Sequence, residues 1–169
     1  MLRTLQRARD TKAAANRLYA AVASQARNPS FFAQLAVPDT MDGRFDLVCL
    51  HAWLVLDRLH SHRALAQALI NAVFTGFDEA LRQSGTGDIG MNRRLKTLAS
   101  AFYGRLEAYG AASTAEQLTD AIQRNLFRGA TDRNAQAQAL ATYAWENRSC
   151  LIEAEIARGN IVFAPIQTI

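Results

Sequence analysis

Residues 44–60 (RFDLVCLHAWLVLDRLH) constrain the fold of this chain most, because positions 47–56 are apolar at every place except His51. In a helix, such a segment presents apolar side chains on nearly every side, which is typical of a helix at the centre of a protein. A membrane-spanning helix needs about 20 apolar residues, so this run is too short to cross a bilayer. The segment therefore predicts a buried central helix.

Apolar residues recur at helical spacing along most of the remaining chain. Between residues 62 and 83 a stripe with a spacing of four consists of Leu65, Leu69, Val73, Phe77 and Leu81, and between residues 91 and 110 a similar face consists of Leu95, Leu98, Phe102, Leu106 and Tyr109. Alanine, the best helix former, supplies 32 of the 169 residues. We expect an all-α, single compact domain of about six helices, with the 44–60 helix packed on the other two.

Local signals predict where several helices begin and end. A helix over 3–26 stops before Pro29, and Phe31 and Phe32 lie on a short turn packed onto the core. Ser113-x-x-Glu116 matches a capping box, and Gly129 is a candidate helix C-cap. The following helix is expected from residue 131 to about Ala157. Gly104, inside a helix, predicts close approach of another helix.

Positive charge is concentrated at the N-terminus. The chain has a net charge of +4, and residues 1–30 hold six basic side chains against the single acid Asp10. We expect a basic helical extension over 1–17, an all-α domain over 18–160 and an extended apolar tail over 161–169. The basic segment is either a solvated helix face or a contact for ribosomal RNA, an anionic membrane surface or an acidic partner. The tail is expected to lie on this chain or on a second one.

Residues that could support catalysis, metal binding or a cofactor are not found in the required patterns. The histidines at 51, 60 and 62 lack ligand spacing, and the two cysteines cannot form a disulfide framework. The glycine-rich segment 85–90 follows no predicted strand and lacks the phosphate-binding lysine, so it predicts a turn between helices. We therefore expect a protein that is not an enzyme and that has no metal or cofactor.

Two groups of polar residues are candidate binding surfaces. Arg44, His51 and Arg58 are seven residues apart and share a helix face, either as a binding stripe or as a core histidine between two solvated arginines. A second group, which we call the cationic rim, consists of Arg93, Arg94, Lys96 and Arg105. Three cations at a helix start oppose the helix dipole, which favours a binding role over local stability. The alternative is that rim arginines pair internally with Asp78, Asp88 or Glu107.

The order of several motifs resembles a known family. These motifs are Leu18-Tyr19 to Ala26-Arg27, Pro29-x-Phe31-Phe32, Val37-Pro38-Asp39-Thr40-x-Asp42-Gly43-Arg44-Phe45-Asp46, His51-x-x-Leu54-x-x-x-Arg58-Leu59, Gly87-Asp88-Ile89-Gly90, Arg94-x-Lys96 and Ala101-Phe102-Tyr103-Gly104-Arg105-Leu106-x-Ala108-Tyr109. Together they resemble the ubiquinol–cytochrome c chaperone family of bacteria and mitochondria, over roughly residues 15–157. Ala36, where the family pattern has Gly, and Met91-Asn92 depart from that pattern.

The resemblance implies a non-enzymatic assembly factor. It implies binding of newly made cytochrome b during assembly of the ubiquinol–cytochrome c reductase complex, which is respiratory complex III. Further partners implied are a second assembly factor and the ribosome near its exit tunnel, but not DNA. The implied location is the bacterial cytoplasm, including peripheral contact with the inner membrane, or the matrix side of the mitochondrial membrane in a eukaryote.

Two functions of different classes remain open at this point. A chaperone for a membrane protein needs an exposed apolar groove, and the candidate groove residues are Phe31, Phe32, Trp53, Phe102 and Tyr103. The alternative is a basic regulator that binds ribosomes or nucleic acid through residues 1–30. The two functions predict different contact surfaces, one apolar and one cationic.

Overall fold

A computed structural model describes residues 2–83, 85 and 88–166, and within them it contains eight α-helices, one 3₁₀ turn and no strand. The helices are α1 (Leu2–Gln25), α2 (Pro29–Ala33), α3 (Met41–Leu56), α4 (Arg63–Gln83), α5 (Asp88–Gly110), α6 (Ala115–Asn125), α7 (Asn134–Cys150) and α8 (Glu153–Ala157), with the 3₁₀ turn at Thr131–Arg133. They form one compact arrangement, which confirms the predicted all-α fold. None of the helices in the described residues is long and apolar enough to cross a membrane.

Helix α3 lies at the centre and packs against α1, α5 and α7. It begins where the Thr40 hydroxyl accepts a hydrogen bond from the backbone N–H of Gly43. Its middle is fully buried, as at Leu47, Leu50 and Leu54, which confirms the prediction from the apolar run. The predicted packing of α3 on α5 is observed.

Helix α4 packs mainly on α1, and then on α5, whereas the sequence predicted packing on α3. Its predicted stripe from Leu65 to Leu81 is buried. The close approach occurs at Gly76, where an added Cβ would collide with the Tyr19 ring of α1. Around Gly104 the space is open, so the prediction of a close helix contact there is wrong. The absence of a side chain at position 76 leaves room for the Tyr19 ring between α1 and α4.

Three predicted helix boundaries need correction. The N-cap of α6 is Thr114, whose hydroxyl accepts from the Gln117 N–H, and not Ser113. Helix α3 ends at Leu56 rather than at residue 60. The predicted 131–157 helix is divided, because Leu151 and Ile152 have extended backbone angles between α7 and α8. This break turns α8 so that Ile156 is buried in the core.

The segment after α8 lies along the core of this chain. Phe163 contacts the His51 ring edge-on at a centroid distance of 5.0 Å, and the Ala164 N–H donates to the Asn147 side-chain oxygen at 2.8 Å. Of the two alternatives for the tail, contact with its own chain is therefore observed over 161–166. Residues 167–169, and Ser84, Thr86 and Gly87 of the predicted turn, lie outside the described residues.

The N-terminal helix crosses the predicted domain boundary. Helix α1 runs without a break from Leu2 to Gln25, and Arg17 donates a hydrogen bond to the carbonyl of Arg158 at 2.7 Å. The basic residues of its first three turns are exposed. The division into 1–17, 18–160 and 161–169 stays a prediction.

Candidate functional site

A cavity of about 660 Å³ opens between α1, α3, α4 and α5, and we call it the cleft. Its apolar floor consists of Tyr19, Phe45, Val48, Phe77, Leu81 and Leu98, and the charged side chains at its edge are Arg27, Asp39, Asp42, Arg44 and Arg94. Helices α3, α4 and α5 each direct an apolar side toward the cleft, and α1 closes the remaining side with Tyr19. An apolar surface with a charged border is typical of an interaction site.

The edge of the cleft carries an exposed ion pair. The Arg44 guanidinium donates to an Asp39 carboxylate oxygen at 2.8 Å, and 54% of each side chain is exposed. The hydrogen bond from Arg44 to Asp39, together with the negative charge of Asp39, raises the pKa of Arg44. The guanidinium also lies 6.0 Å from the centre of the Phe32 ring. Because solvent screens this ion pair, breaking it costs little free energy, and either side chain can then bind a ligand instead.

Tyr19 is the aromatic side chain that α1 contributes to the cleft. Burial raises the pKa of this half-buried phenol, while the nearby Arg27 lowers it and Glu79 raises it further. The phenol is therefore neutral at cellular pH and can donate a hydrogen bond. Gly76, also on the cleft wall, leaves the space in which the Tyr19 ring lies.

An aromatic cluster extends from the cleft floor into the core. Phe45 contacts Phe77 at a centroid distance of 5.1 Å, and Phe77 contacts Phe102 at 6.1 Å. Phe102 is completely buried, whereas the neighbouring Tyr103 is about half exposed. Phe102 thus holds the floor in place and does not line a groove itself.

The groove predicted from Phe31, Phe32, Trp53, Phe102 and Tyr103 is not a single surface. Phe31, Trp53 and Phe102 are buried, so their prediction as exposed groove residues is wrong. Phe32 is partly buried against the core. The apolar area of these large rings is more stable inside the core, where Trp53 packs on Tyr109 at a centroid distance of 5.7 Å.

His51 is a core residue with both ring nitrogens bonded. Its Nδ1 lies 2.7 Å from the Leu47 carbonyl and its Nε2 lies 2.9 Å from the Tyr143 hydroxyl. The carbonyl can only accept, so Nδ1 donates to it and Nε2 accepts from Tyr143. Burial lowers the pKa of His51 to about 4. The histidine is therefore neutral and has no free nitrogen for a ligand.

The predicted Arg44–His51–Arg58 stripe is not one binding face. Arg44 lies at the cleft, His51 is buried, and Arg58 follows the end of α3 at Leu56. The helix ends earlier than the apolar pattern predicted, so the third member no longer shares its face. Only Arg44 of the three reaches the candidate site.

The predicted cationic rim is divided in the same way. Arg105 donates to the buried carboxylate of Asp46 at 2.6 Å, so it belongs to the interior, although Asp46 was not among its predicted partners. Arg93, Arg94 and Lys96 are exposed, but of these only Arg94 lines the cleft. Helix α5 begins at Asp88, which leaves these cations beyond the first turn, where the dipole has lost most of its effect.

Asp46 holds two arginines from distant parts of the chain. Besides Arg105, it forms an ion pair with Arg128 at an N–O distance of 2.8 Å, and Arg105 also lies 5.0 Å from the Phe45 ring centre. Burial raises the pKa of Asp46, while the two arginines oppose that shift. Arg128 has a left-handed backbone with φ of 55°, directly before Gly129 at 77°. This ion-pair network fixes α3 to α5 and to the link after α6.

The cleft is shaped by residues that the sequence did not single out as site residues, namely Tyr19, Phe45, Gly76, Phe77 and Leu98. Phe77 and Leu98 belong to predicted helix stripes, and periodicity does not show that these stripes border a cavity. Gly76 carried a usable signal, because an isolated glycine within a helical pattern often has a packing reason. In the described part of the chain, no group of three His, Cys, Asp or Glu side chains is placed to hold a metal ion.

Known proteins resemble this chain along most of its length. The family model described as ubiquinol-cytochrome C chaperone matches residues 33–163. The chain is 21% identical over 165 residues to ubiquinol-cytochrome-c reductase complex assembly factor 1 of Xenopus laevis, which covers 92% of this chain and 82% of that protein. It is 26% identical over 151 residues to the Drosophila melanogaster protein of that name, covering 83% of this chain and 58% of the relative.

The fold also matches an experimentally determined structure. The crystal structure of the Cbp3 homolog from Brucella abortus superposes with a TM-score of 0.84 at 34% sequence identity, and the match covers 100% of both chains. The sequence resemblance therefore extends to the arrangement of the helices. The chain belongs to the ubiquinol–cytochrome c chaperone family, whose members are assembly chaperones of respiratory complex III.

Proposed function

We propose that the client of this assembly chaperone is newly made cytochrome b, and that an apolar segment of the client binds in the cleft. The observation that carries this proposal is the apolar floor of the cleft, open to solvent and bordered by charged side chains. Its volume of about 660 Å³ lies within the range of about 300–1,000 Å³ typical of ligand sites. A short apolar segment can bury its side chains there while its flanking residues meet the charged edge.

The cleft suits a transient complex. Its floor residues Phe45 and Phe77 pack on each other, and Phe77 packs on the buried Phe102, so the surface exists before the client arrives and little ordering free energy is lost on binding. The exposed Arg44–Asp39 pair can open toward a polar group of the client because solvent already screens it. The chain acts by binding, with no catalytic step, metal or cofactor.

A second contact surface supports the runner-up function, binding to the ribosome or nucleic acid. Residues 3–10 are exposed on every side of α1, and Arg3, Arg7 and Arg9 lie among them. Within the proposed role, this basic helix end contacts ribosomal RNA near the exit tunnel or the anionic inner membrane from the cytoplasmic or matrix side. A second assembly factor would bind elsewhere on the chain.

A photo-crosslinking amino acid at Thr97, on the cleft wall, tests the proposed client in the native cell. Thr142 is a matched control, because both threonines are exposed helix residues whose hydroxyls donate to the carbonyl four residues earlier. We expect cytochrome b in the crosslinked product from position 97 and none from position 142. Equal capture at both positions, or a different protein at position 97, would refute the proposed site or client.

A further inference from the structure

Tyr19 brings a hydroxyl group to the cleft floor. The side chain lines the cleft and is half-buried, yet its hydroxyl makes no hydrogen bond to any of the described residues. Buried phenol groups usually have a hydrogen-bond partner, because an unmet donor costs free energy when water is excluded. A segment that fills the cleft would exclude water from this hydroxyl and must therefore provide an acceptor.

Gly76 determines where the Tyr19 hydroxyl lies. An added Cβ at position 76 would overlap the hydroxyl oxygen and the ring carbon that bears it, so only glycine accepts the ring in this position. Both residues belong to the cleft wall, and the helices that carry them, α1 and α4, are in direct contact. Any side chain at position 76 must move the phenol away from α4.

The apolar floor of the cleft favours a neutral acceptor for the Tyr19 hydroxyl over a carboxylate. The charged groups nearest to the hydroxyl, Arg27 and Glu79, have opposite signs and shift the pKa of Tyr19 in opposite directions, so they do not select an ionised acceptor. The cleft floor consists of apolar side chains, against which an ionised group would lose its hydration. A backbone carbonyl is the acceptor that every apolar segment carries.

We propose that the Tyr19 hydroxyl donates a hydrogen bond to a backbone carbonyl of the client segment in the cleft, and that Gly76 is the residue that positions this donor. The inference rests on the proposed function of the cleft. Carbonyls inside a complete helix are already bonded, whereas those of an extended segment or of the last helical turn are free. The ligand class is thus an apolar segment that is extended or that ends a helix, rather than the middle of a finished membrane helix.

Peptides of 15 residues that cover the cytochrome b encoded in the same genome are the probe, with binding to the full chain measured by fluorescence anisotropy. Tyr19→Phe removes the hydroxyl and keeps the ring, and we expect about fivefold weaker binding of the tightest peptide, the usual effect of one neutral hydrogen bond. Tyr103→Phe is the matched control on an exposed tyrosine outside the cleft, with affinity unchanged. Equal affinity of Tyr19→Phe and the original chain would overturn the inference.

An amide-to-ester change in the peptide identifies the acceptor. The ester carbonyl is a weaker acceptor, so an ester at the bonded position should weaken binding to the original chain by several-fold and binding to Tyr19→Phe by much less. Scanning the ester along the peptide locates that carbonyl. An ester penalty that is the same for both proteins at every position would overturn the proposed backbone contact.

Gly76→Ala tests the positioning role against Gly104→Ala, the same change in a helix of open surroundings. We expect Gly76→Ala to weaken peptide binding at least as much as Tyr19→Phe, and Gly104→Ala to leave it unchanged. In the Tyr19→Phe background, Gly76→Ala should still displace the ring. Because the hydroxyl is absent from this double variant, an ester in the peptide should not weaken binding any further. A normal affinity for folded Gly76→Ala would refute the positioning role.

Thr97→Trp separates this inference from the proposed function. The bulky ring on the cleft wall fills the cleft, while the Tyr19 hydroxyl is retained. Lost binding in Thr97→Trp together with normal binding in Tyr19→Phe would overturn the hydrogen bond and keep the cleft as the client site. Normal binding in Thr97→Trp would overturn both, provided that Thr142→Trp also binds normally.

Discussion

Arg44 and Asp46 lie two residues apart on α3, yet their ion pairs have opposite surroundings. The Arg44–Asp39 pair is 54% exposed on each side, at the edge of the cleft. The Asp46 carboxylate is only 1% exposed and holds Arg105 and Arg128. Solvent screens the Arg44–Asp39 pair, whereas the buried Asp46 carboxylate has lost its hydration and is stabilised by its arginines instead. The comparison teaches that charge near a candidate site indicates function only where the structure leaves it accessible.

The largest effect should come from breaking the buried network. Asp46→Ala leaves Arg105, whose side chain is 13% exposed, without its carboxylate, and we expect the free energy of unfolding to fall by about 3–5 kcal/mol. Urea denaturation of the variant and of the original chain gives this difference. A fall below about 1 kcal/mol would mean that solvent reaches the network freely and that the contrast with Arg44 is false.

A pH effect on the buried side should come next in size. Burial lowers the pKa of His51 from 6.5 to about 4 in the folded chain, so between these values the unfolded chain binds the extra proton. Neutral His51 makes its full contribution to the free energy of unfolding above pH 6.5. This contribution is lost as the pH falls toward 4, and the free energy of unfolding then decreases by about 3 kcal/mol in total.

Urea denaturation at several pH values checks this slope. His51→Gln cannot titrate, and its free energy of unfolding should change less than that of the original chain over the same pH range. Parallel pH curves for the two proteins would show that His51 is not the group responsible.

A smaller, stabilising effect should appear at Gly104, which lies in open surroundings within α5. Gly104→Ala removes backbone freedom from the unfolded chain and should raise the free energy of unfolding by up to about 1 kcal/mol. Thermal denaturation measures the change. A lower melting temperature would indicate a contact at Gly104 and restore the original prediction of a close helix approach.

The smallest effect is expected at the exposed pair. Asp39→Ala should leave the melting temperature unchanged, because both partners are half exposed and solvent replaces the lost contact. Melting curves at low and high salt test this directly. A large shift would place Asp39 with Asp46 as a structural carboxylate and remove the distinction between the two pairs.

The helices were predictable where burial follows a local period. The α4 stripe from Leu65 to Leu81 and the buried α3 run both depend on residues within a few turns of one another. The C-cap of α6 is Leu126 and not the predicted Gly129. Helix breaks were less predictable, as at Leu151 and Ile152, where burial of Ile156 outweighs the continued helix favoured by the surrounding sequence. Local propensities differ by less than about 1 kcal/mol per residue, so tertiary packing can reverse them.

The candidate site was much less accessible to sequence reasoning. Aromatic residues were the natural candidates for a groove, but Phe31, Trp53 and Phe102 are buried because large rings gain most from leaving water. The residues that do form the cleft, such as Tyr19 and Leu98, differ from core residues only in being partly exposed. Exposure depends on which helices meet beside a residue, and one sequence does not contain that information directly.

By itself, the sequence determined the all-α class, the buried α3, the basic N-terminus and the family resemblance, since each follows from local spacing, composition or motif order. The tertiary structure alone decided that Asp46 pairs with Arg105, 59 positions away, and that Tyr19 lies against Gly76. Both contacts depend on how helices cross, and crossing is selected by the packing of whole faces rather than by any one residue. For this reason the cleft, and the role proposed for it, emerged only in three dimensions.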